Sequence, residues 1–441
     1  MVVVIRPRRV ATSAVVVASA LALSACGSAG PEPSGGESSG ELSVWFPGTN
    51  QTEIDLVTEQ IVPAFEEETG ATVEVTFLDW GDMSTKLNAA FAGGTAPDVF
   101  GHGPAALADF VANERVEPLT EYVDRLSAED QDDLADAMSG GQVNGTQFLI
   151  PLSLQGSLLV YNADDFVEAG LDPANPPATW EDVYDVASDL TVRDASGTIV
   201  RSGLLLPSQP IGRQQTFAFL LHSAGGQQLT DDGAEAAFAS DEGQRALDYF
   251  TQLFSGSDAV SAGLGADYSN APTAQQPLVL GTASITLLSP NSMQQVVTAY
   301  PELDLRVMMP PKFEGADDGH ALGGAGPGLM INADSAEKDL AWQFIQYMIS
   351  PDTGAEYTQG IGAIPARASA ASTPYVQDNP VLQAFVEAAP LYVTNPNVPG
   401  WVQVRDTMDK YIEQALNETT SARDALDRAA ADVDKILEAN R

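Results

Sequence analysis

Three histidines (His102, His222 and His320), one cysteine (Cys26) and 61 acidic side chains are the chain's stock of groups able to do covalent or metal chemistry. The histidines lie far apart and in no HxxxH or HxH spacing, so no metal site is expected of them. A single thiol has no partner for a disulfide within one chain. No GxSxG elbow, Walker A loop or dinucleotide fingerprint occurs, and no cofactor is called for. Among 61 carboxylates, pairs that could flank a substrate are too common to single one out. What this inventory supports is binding by shape and hydrogen bonds rather than bond cleavage.

The charge narrows the partners further. Against the 61 acidic residues stand 20 basic ones, a formal net charge of −41 that repels phosphate backbones and anionic lipid surfaces alike. Nucleic acid is excluded as an expected partner. The excess is spread along the chain and reads as a solvated surface. At the N-terminus Arg6, Arg8 and Arg9 precede an apolar run over residues 10–23, the pattern of an export signal and too short to span a bilayer comfortably. Leu23-Ser24-Ala25-Cys26 resembles the lipobox of bacterial lipoproteins. That resemblance implies a signal peptide over residues 1–25, cleavage before Cys26 and acylation of its thiol. The protein would then be exported and held to the outer face of the cell membrane by a lipid anchor. The following Gly, Ser, Pro and Glu residues, 26–40, cannot bury enough apolar surface to offset ordering and read as a disordered tether. The remainder is long enough for two or three domains and, at 44% hydrophobic, for sizeable cores.

The elements that must position any binding groups begin at Glu41. "LSVWF", a helical stretch near residues 52–69, "TVEVTFL" and a helix near residues 83–91 make the β-α-β-α rhythm of a parallel sheet covered by helices. Such sheets bind ligands at the carboxyl ends of their strands. Thr179-Trp180-Glu181-Asp182 approximates a capping box, which makes Trp180 a structural residue. Later helices are expected over residues 241–254, 336–349 and 404–437, the last broken near 417–421. Glycines at 323–328 and 360–362 permit bends or close backbone approach.

Three strings resemble the family 1 extracellular solute-binding proteins, the sugar-capturing components of bacterial ABC importers and relatives of the maltose-binding protein. They are "KLNAAFAGGTAPDVF" at 86–100, "FLIPLSLQGSLLVYNADDFVEAGLDPANPPATWEDV" at 148–183, and "AWQFIQYMISPDTGAEY" with "IGAIPAR" at 341–357 and 361–367. The resemblance runs from about Glu41 to the C-terminus. It implies a periplasmic-binding-protein-like α/β fold of two lobes with a ligand cleft between them. Lobe 1 would comprise residues 41–154 and 326–373, and lobe 2 residues 158–322 and 379–441. Crossings would fall near 153–157, 323–328 and 371–379. The implied function is capture of a mono- or oligosaccharide by lobe closure, by a monomer, and delivery to the transmembrane subunits of an ABC permease. An anchored carbohydrate-active enzyme and a receptor for a glycerol phosphoester are the alternatives.

A sugar pocket needs flat aromatic faces for the C–H side of a pyranose and fixed polar groups for its hydroxyls. Trp401, which follows the stiff "NPNVPG", stands where the resemblance implies a sugar-stacking aromatic. Trp80 and Trp45 are the other candidate faces, whereas Trp342 is expected in the core. Thr49 and Asn50 close the first strand, where relatives contact hydroxyls. Gln155 occupies a position that maltose-binding relatives fill with a carboxylate. Arg213, Gln214 and Gln215 precede a helix of the second lobe, and Ser289 and Asn291 stand where many relatives carry an aromatic. His102 and Gly324 complete the candidate set. His222 is expected to pack on its helix, and Asp98 to order the turn before its strand.

Overall fold

A computed structural model describes residues 40–269 and 271–440. The signal segment 1–25, Cys26 and all of the tether except Gly40 lie outside the described residues.

The first sheet runs Thr72–Leu78, Glu41–Pro47, Val99–His102, Gly328–Ile331 and Ile150–Pro151 in spatial order. Its first three strands are parallel, with Glu41 opposite Thr72, Pro47 opposite Leu78 and Val44 opposite Val99. Alternation sets the faces: Leu42, Val44 and Phe46 are buried under one side. The expected helix after the first strand is a nearly continuous rod from Gln51 to Thr69 with a π turn at Val57–Ile61, ended by the left-handed Gly70. Asp98, expected to order the turn before its strand, instead ties that turn to distant segments, accepting from Ser43 N–H and Oγ–H and from Ser335 Oγ–H.

The second sheet runs Leu305–Met308, Leu158–Asn162, Ala283–Leu288, Ile199–Leu205 and Val192–Arg193. Ile199–Leu205 and Ala283–Leu288 are parallel, so their carboxyl ends meet at one edge. Beside this sheet Thr179 Oγ1 accepts from Asp182 N–H and starts the helix Trp180–Leu190, with Trp180 fully buried. The long C-terminal helix divides where expected, into Trp401–Leu416 and Ala422–Ala439.

Between these two sheets lies a third, Ile364–Pro365, Ser153–Gly156, Ala321–Ala325 and Tyr392–Val393. Gly323 faces Gly156 and Gly324 faces Gln155. The Tyr392 ring lies on the two glycines: a Cβ on Gly156 would stand 2.3 Å from Tyr392 Cζ, and one on Gly323 2.5 Å from Cγ. That close approach explains the glycine run. Residues 371–379, expected as a third crossing, hold the end of a 3₁₀ turn and the short helix Pro374–Gln377. The architecture is the expected one of two α/β lobes with connecting strands between them.

Candidate functional site

The parallel strands of the first sheet end together at Pro47, Leu78 and His102, the edge where such sheets present ligands. Asp79 caps the helix Trp80–Gly93 by accepting from Gly81 N–H, which makes Trp80 the first helical residue and leaves it 46% exposed. Its ring meets His102 edge-on with centroids 5.8 Å apart. Gly48, at φ 109°, underlies the indole: a Cβ there would stand 3.5 Å from Trp80 Nε1 and 3.8 Å from Glu53 Oε2. The other oxygen of Glu53 accepts from Tyr357 Oη at 2.5 Å. Burial pushes the Glu53 carboxyl up, and the Tyr357 hydrogen bond opposes that shift.

His102 is held as a neutral ring. Gly103 N–H donates to Nδ1 at 2.9 Å, which leaves Nε2 to carry the proton and donate to Ser84 Oγ at 3.1 Å. Burial pushes its pKa from the ordinary 6.5 to about 4; the Gly103 carbonyl, 3.3 Å from Nδ1 and able to accept from the protonated ring, opposes the shift, and the Arg405 charge on the second lobe adds to it. The folded value lies below the unfolded one, so as pH falls the unfolded chain takes up the proton first. The His102 contribution to stability is therefore lost between about pH 6.5 and pH 4 and changes no further below that. Burial lowers His222 in the same direction, also to about 4, with the nearby His320 adding to the shift. A His102→Asn variant is expected to show a shallower fall in melting temperature across this window, and a slope equal to the native one would contradict the assignment.

On the second lobe, the segment after Ile199–Leu205 ends at Ile211, a β-branched residue at φ 68° and 44% exposed, just before the helix Gly212–Ser223. Backbone outliers of this kind cost energy and cluster at functional sites. The adjacent strand Ala283–Leu288 leads into Ser289, whose hydroxyl caps the next helix by accepting from Ser292 N–H. Asn291 accepts from Gln295 Nε2 and lies beside Gly362.

A cavity of about 430 Å³ opens between the lobes. From the first lobe it is lined by Ser84, Asn88 and Phe91 on one helix face and by Asp109, Phe110 and Asn113 on another; Val402, Gln403 and Asn440 line it from the second lobe. Arg115, stacked over Phe91 at 5.3 Å from the ring centroid, is its one lining cation. Ser84 belongs both to this wall and to the His102 cluster, one helical turn on from Trp80. Four amides and a hydroxyl, with the largely buried Phe91 and Phe110 and one charge of each sign, suit a polar ligand without net charge.

The family model of bacterial extracellular solute-binding proteins matches residues 48–355. The chain belongs to that family. A solute-binding protein of an ABC transporter from Thermotoga lettingae TMO, solved with alpha-D-tagatose, superposes with a TM-score of 0.77 at 24% identity, covering 90% of this chain and 99% of that one. The cyclic alpha-maltosyl-1,6-maltose binding protein of Arthrobacter globiformis gives 0.73 at 26%, with the same coverage. The sn-glycerol-3-phosphate-binding periplasmic protein UgpB of Shigella dysenteriae is 23% identical over 373 residues, 79% of this chain and 81% of its own.

Within this solute-binding protein the structure redraws several sequence expectations. Trp401 is not an open stacking face: it is fully buried in the second lobe's core as the first residue of its helix. Arg213 is buried too, its guanidinium paired with Asp409 at 2.6 Å and Glu413 at 3.1 Å, so it has no charge to spare for a solute. Gln214 is fully buried and donates to Gln228 Oε1, while Gln215 is half-buried on the same helix. Trp45 is half-buried against the cluster of Leu78, Met83 and Phe100 because strand alternation turns it away from Val44 and Phe46 onto the sheet's other face. Asn50 caps the helix Gln51–Leu56 by accepting from Thr52 N–H, and Thr49 is exposed beside it. Gln155 is exposed on its crossing strand opposite Gly324, whose φ is 108°.

Sequence reasoning missed the cavity wall. Ser84, Asn88 and Phe91 recur at i, i+4 and i+7, the signature of one helix face, and Asp109 and Asn113 are again four apart. Glu53, Ile211 and Arg405 gave no local signal.

Proposed function

We propose that this solute-binding protein captures a mono- or oligosaccharide between its lobes and delivers it to an ABC permease, without chemical turnover. The observation that carries this reading is the exposed Trp80 ring, set on the neutral His102 beside an interlobe cavity of about 430 Å³ lined mainly by amides and phenyl rings. An aromatic face and neutral donor–acceptor groups are what a pyranose offers partners for. Relatives solved with alpha-D-tagatose or described as binding cyclic alpha-maltosyl-1,6-maltose fit this reading. The likeness to UgpB keeps a glycerol phosphoester as the second reading, with Arg115, not Arg213, as its cation.

Thermal-shift screening of the exported domain tests the two together, because a ligand bound only by the native state raises apparent stability by mass action. At least one neutral saccharide is expected to raise the melting temperature while sn-glycerol 3-phosphate does not; the reverse pattern would transfer the function to the phosphoester. We further infer a lipid anchor at Cys26, outside the described residues. Mass spectrometry of the mature N-terminus is expected to find Cys26 first and acylated, and an unmodified thiol would refute it.

A further inference from the structure

The lobes are joined beside the cavity by three hydrogen bonds that need no solute atom. Ala108 N–H, in the first turn of the helix Leu107–Ala112, donates to Asn397 Oδ1 at 2.9 Å. Asn397 Nδ2–H donates in turn to Gln142 O at 3.1 Å. Asp109 Oδ1 accepts from Gly400 N–H at 2.6 Å. The first N–H groups of a helix have no intrahelical acceptor, and the Asn397 amide supplies one across the lobe boundary.

The loop that provides Asn397 and Gly400 is built to hold its shape. Pro396 and Pro399 fix two φ angles, and Val398 packs on the second core while its carbonyl accepts from Trp401 N–H at 3.1 Å. Gly400 sits at φ 78°, and a Cβ there would come 2.7 Å from Asn440 Nδ2, so only glycine places this N–H toward Asp109. A stiff loop carries little ordering cost when it meets the opposite lobe. Asp109 also lines the cavity, so its carboxylate touches both the interlobe contact and the space a solute would enter.

We propose that Asp109 and Asn397 are positioning residues for solute binding, forming a clasp that draws the two lobes together at the cavity edge in the protein alone. A ligand can move an open–closed equilibrium only by its preference for the closed form. The clasp supplies part of that closure from protein groups and leaves less for the solute to provide. This role rests on the interlobe cavity being the solute site, but the contact itself can be read without any ligand.

Hydrogen–deuterium exchange on the purified protein without solute tests it, with small-angle scattering on the same samples. The Ala108 and Gly400 amides are expected to be protected in the native protein. Asn397→Ala should speed exchange of Ala108 by roughly tenfold or more, since loss of a single hydrogen bond is worth about that factor. It should also enlarge the radius of gyration while leaving the melting temperature near native. Asp109→Asn, which keeps an oxygen acceptor, should preserve protection of Gly400, and Asp109→Ala should abolish it. Native amides that exchange as freely as an open loop would overturn the clasp. Protection lost in Asn397→Ala with an unchanged radius of gyration would overturn its positioning role. Because no sugar is used, neither failure can be confused with a wrong assignment of the solute.

Discussion

Arg213→Ala is expected to destabilise the protein by about 3–5 kcal/mol, the usual cost of leaving one member of a buried ion pair without its partner. Arg213 and Asp409 are 6% and 12% exposed at the side chain, and the guanidinium makes two bonds to the carboxylate, from Nε at 3.1 Å and Nη2 at 2.6 Å. Nη1 reaches Glu413 and the Ser208 carbonyl. Removing the cation would strand Asp409 in a poorly hydrated site between the helices Gly212–Ser223 and Trp401–Leu416. Glu413, half-exposed, can turn to water. The double replacement Arg213→Met with Asp409→Leu should recover most of the loss, since apolar groups of similar volume often match a buried pair. Urea denaturation of the three proteins checks this. A fully stable Arg213→Ala that had lost solute affinity would instead return Arg213 to the binding site.

Trp401→Ala should cost a comparable amount, about 3–5 kcal/mol for a buried indole truncated to a methyl. The ring is fully enclosed with Val404 and Met408 in the core of the second lobe, and its Nε1 has no hydrogen-bond partner among the described residues. Trp401→Phe keeps most of the apolar contact and drops that unpaired N–H, so it should be far milder. Denaturant midpoints separate the two. If Trp401→Ala kept the native midpoint and lost only affinity, the ring would be a ligand face after all.

These two residues show where sequence reading stopped. Local patterns carried far: the alternation of Leu42, Val44 and Phe46, the Thr179 cap and the helix break before Ala422 all depend on neighbours a few residues away or on backbone chemistry alone. Trp401 follows a loop rich in proline and glycine, and nothing local says which way the helix it opens will be rotated. Arg213 lacked its reason because Asp409 is 196 residues away. The cavity wall was half legible. Ser84, Asn88 and Phe91 mark a helix face, but only the packing of the two lobes decides that this face looks across at Gln403 and Asn440. Gly400 would have read as a helix-preceding turn, and its N–H reaches Asp109 only once both lobes are in place.

Solute capture at the strand ends beside Trp80 is tested most directly by titration calorimetry of the native protein and Trp80→Ala with the saccharide that most raises the melting temperature. Trp80 is 46% exposed and its removal should barely change stability, unlike that of Trp401. One site per chain is expected in the native protein. Loss of the stacking face should weaken binding by roughly tenfold to a hundredfold, about 1–3 kcal/mol, at an unchanged melting temperature. Equal affinity in the two proteins would contradict the account.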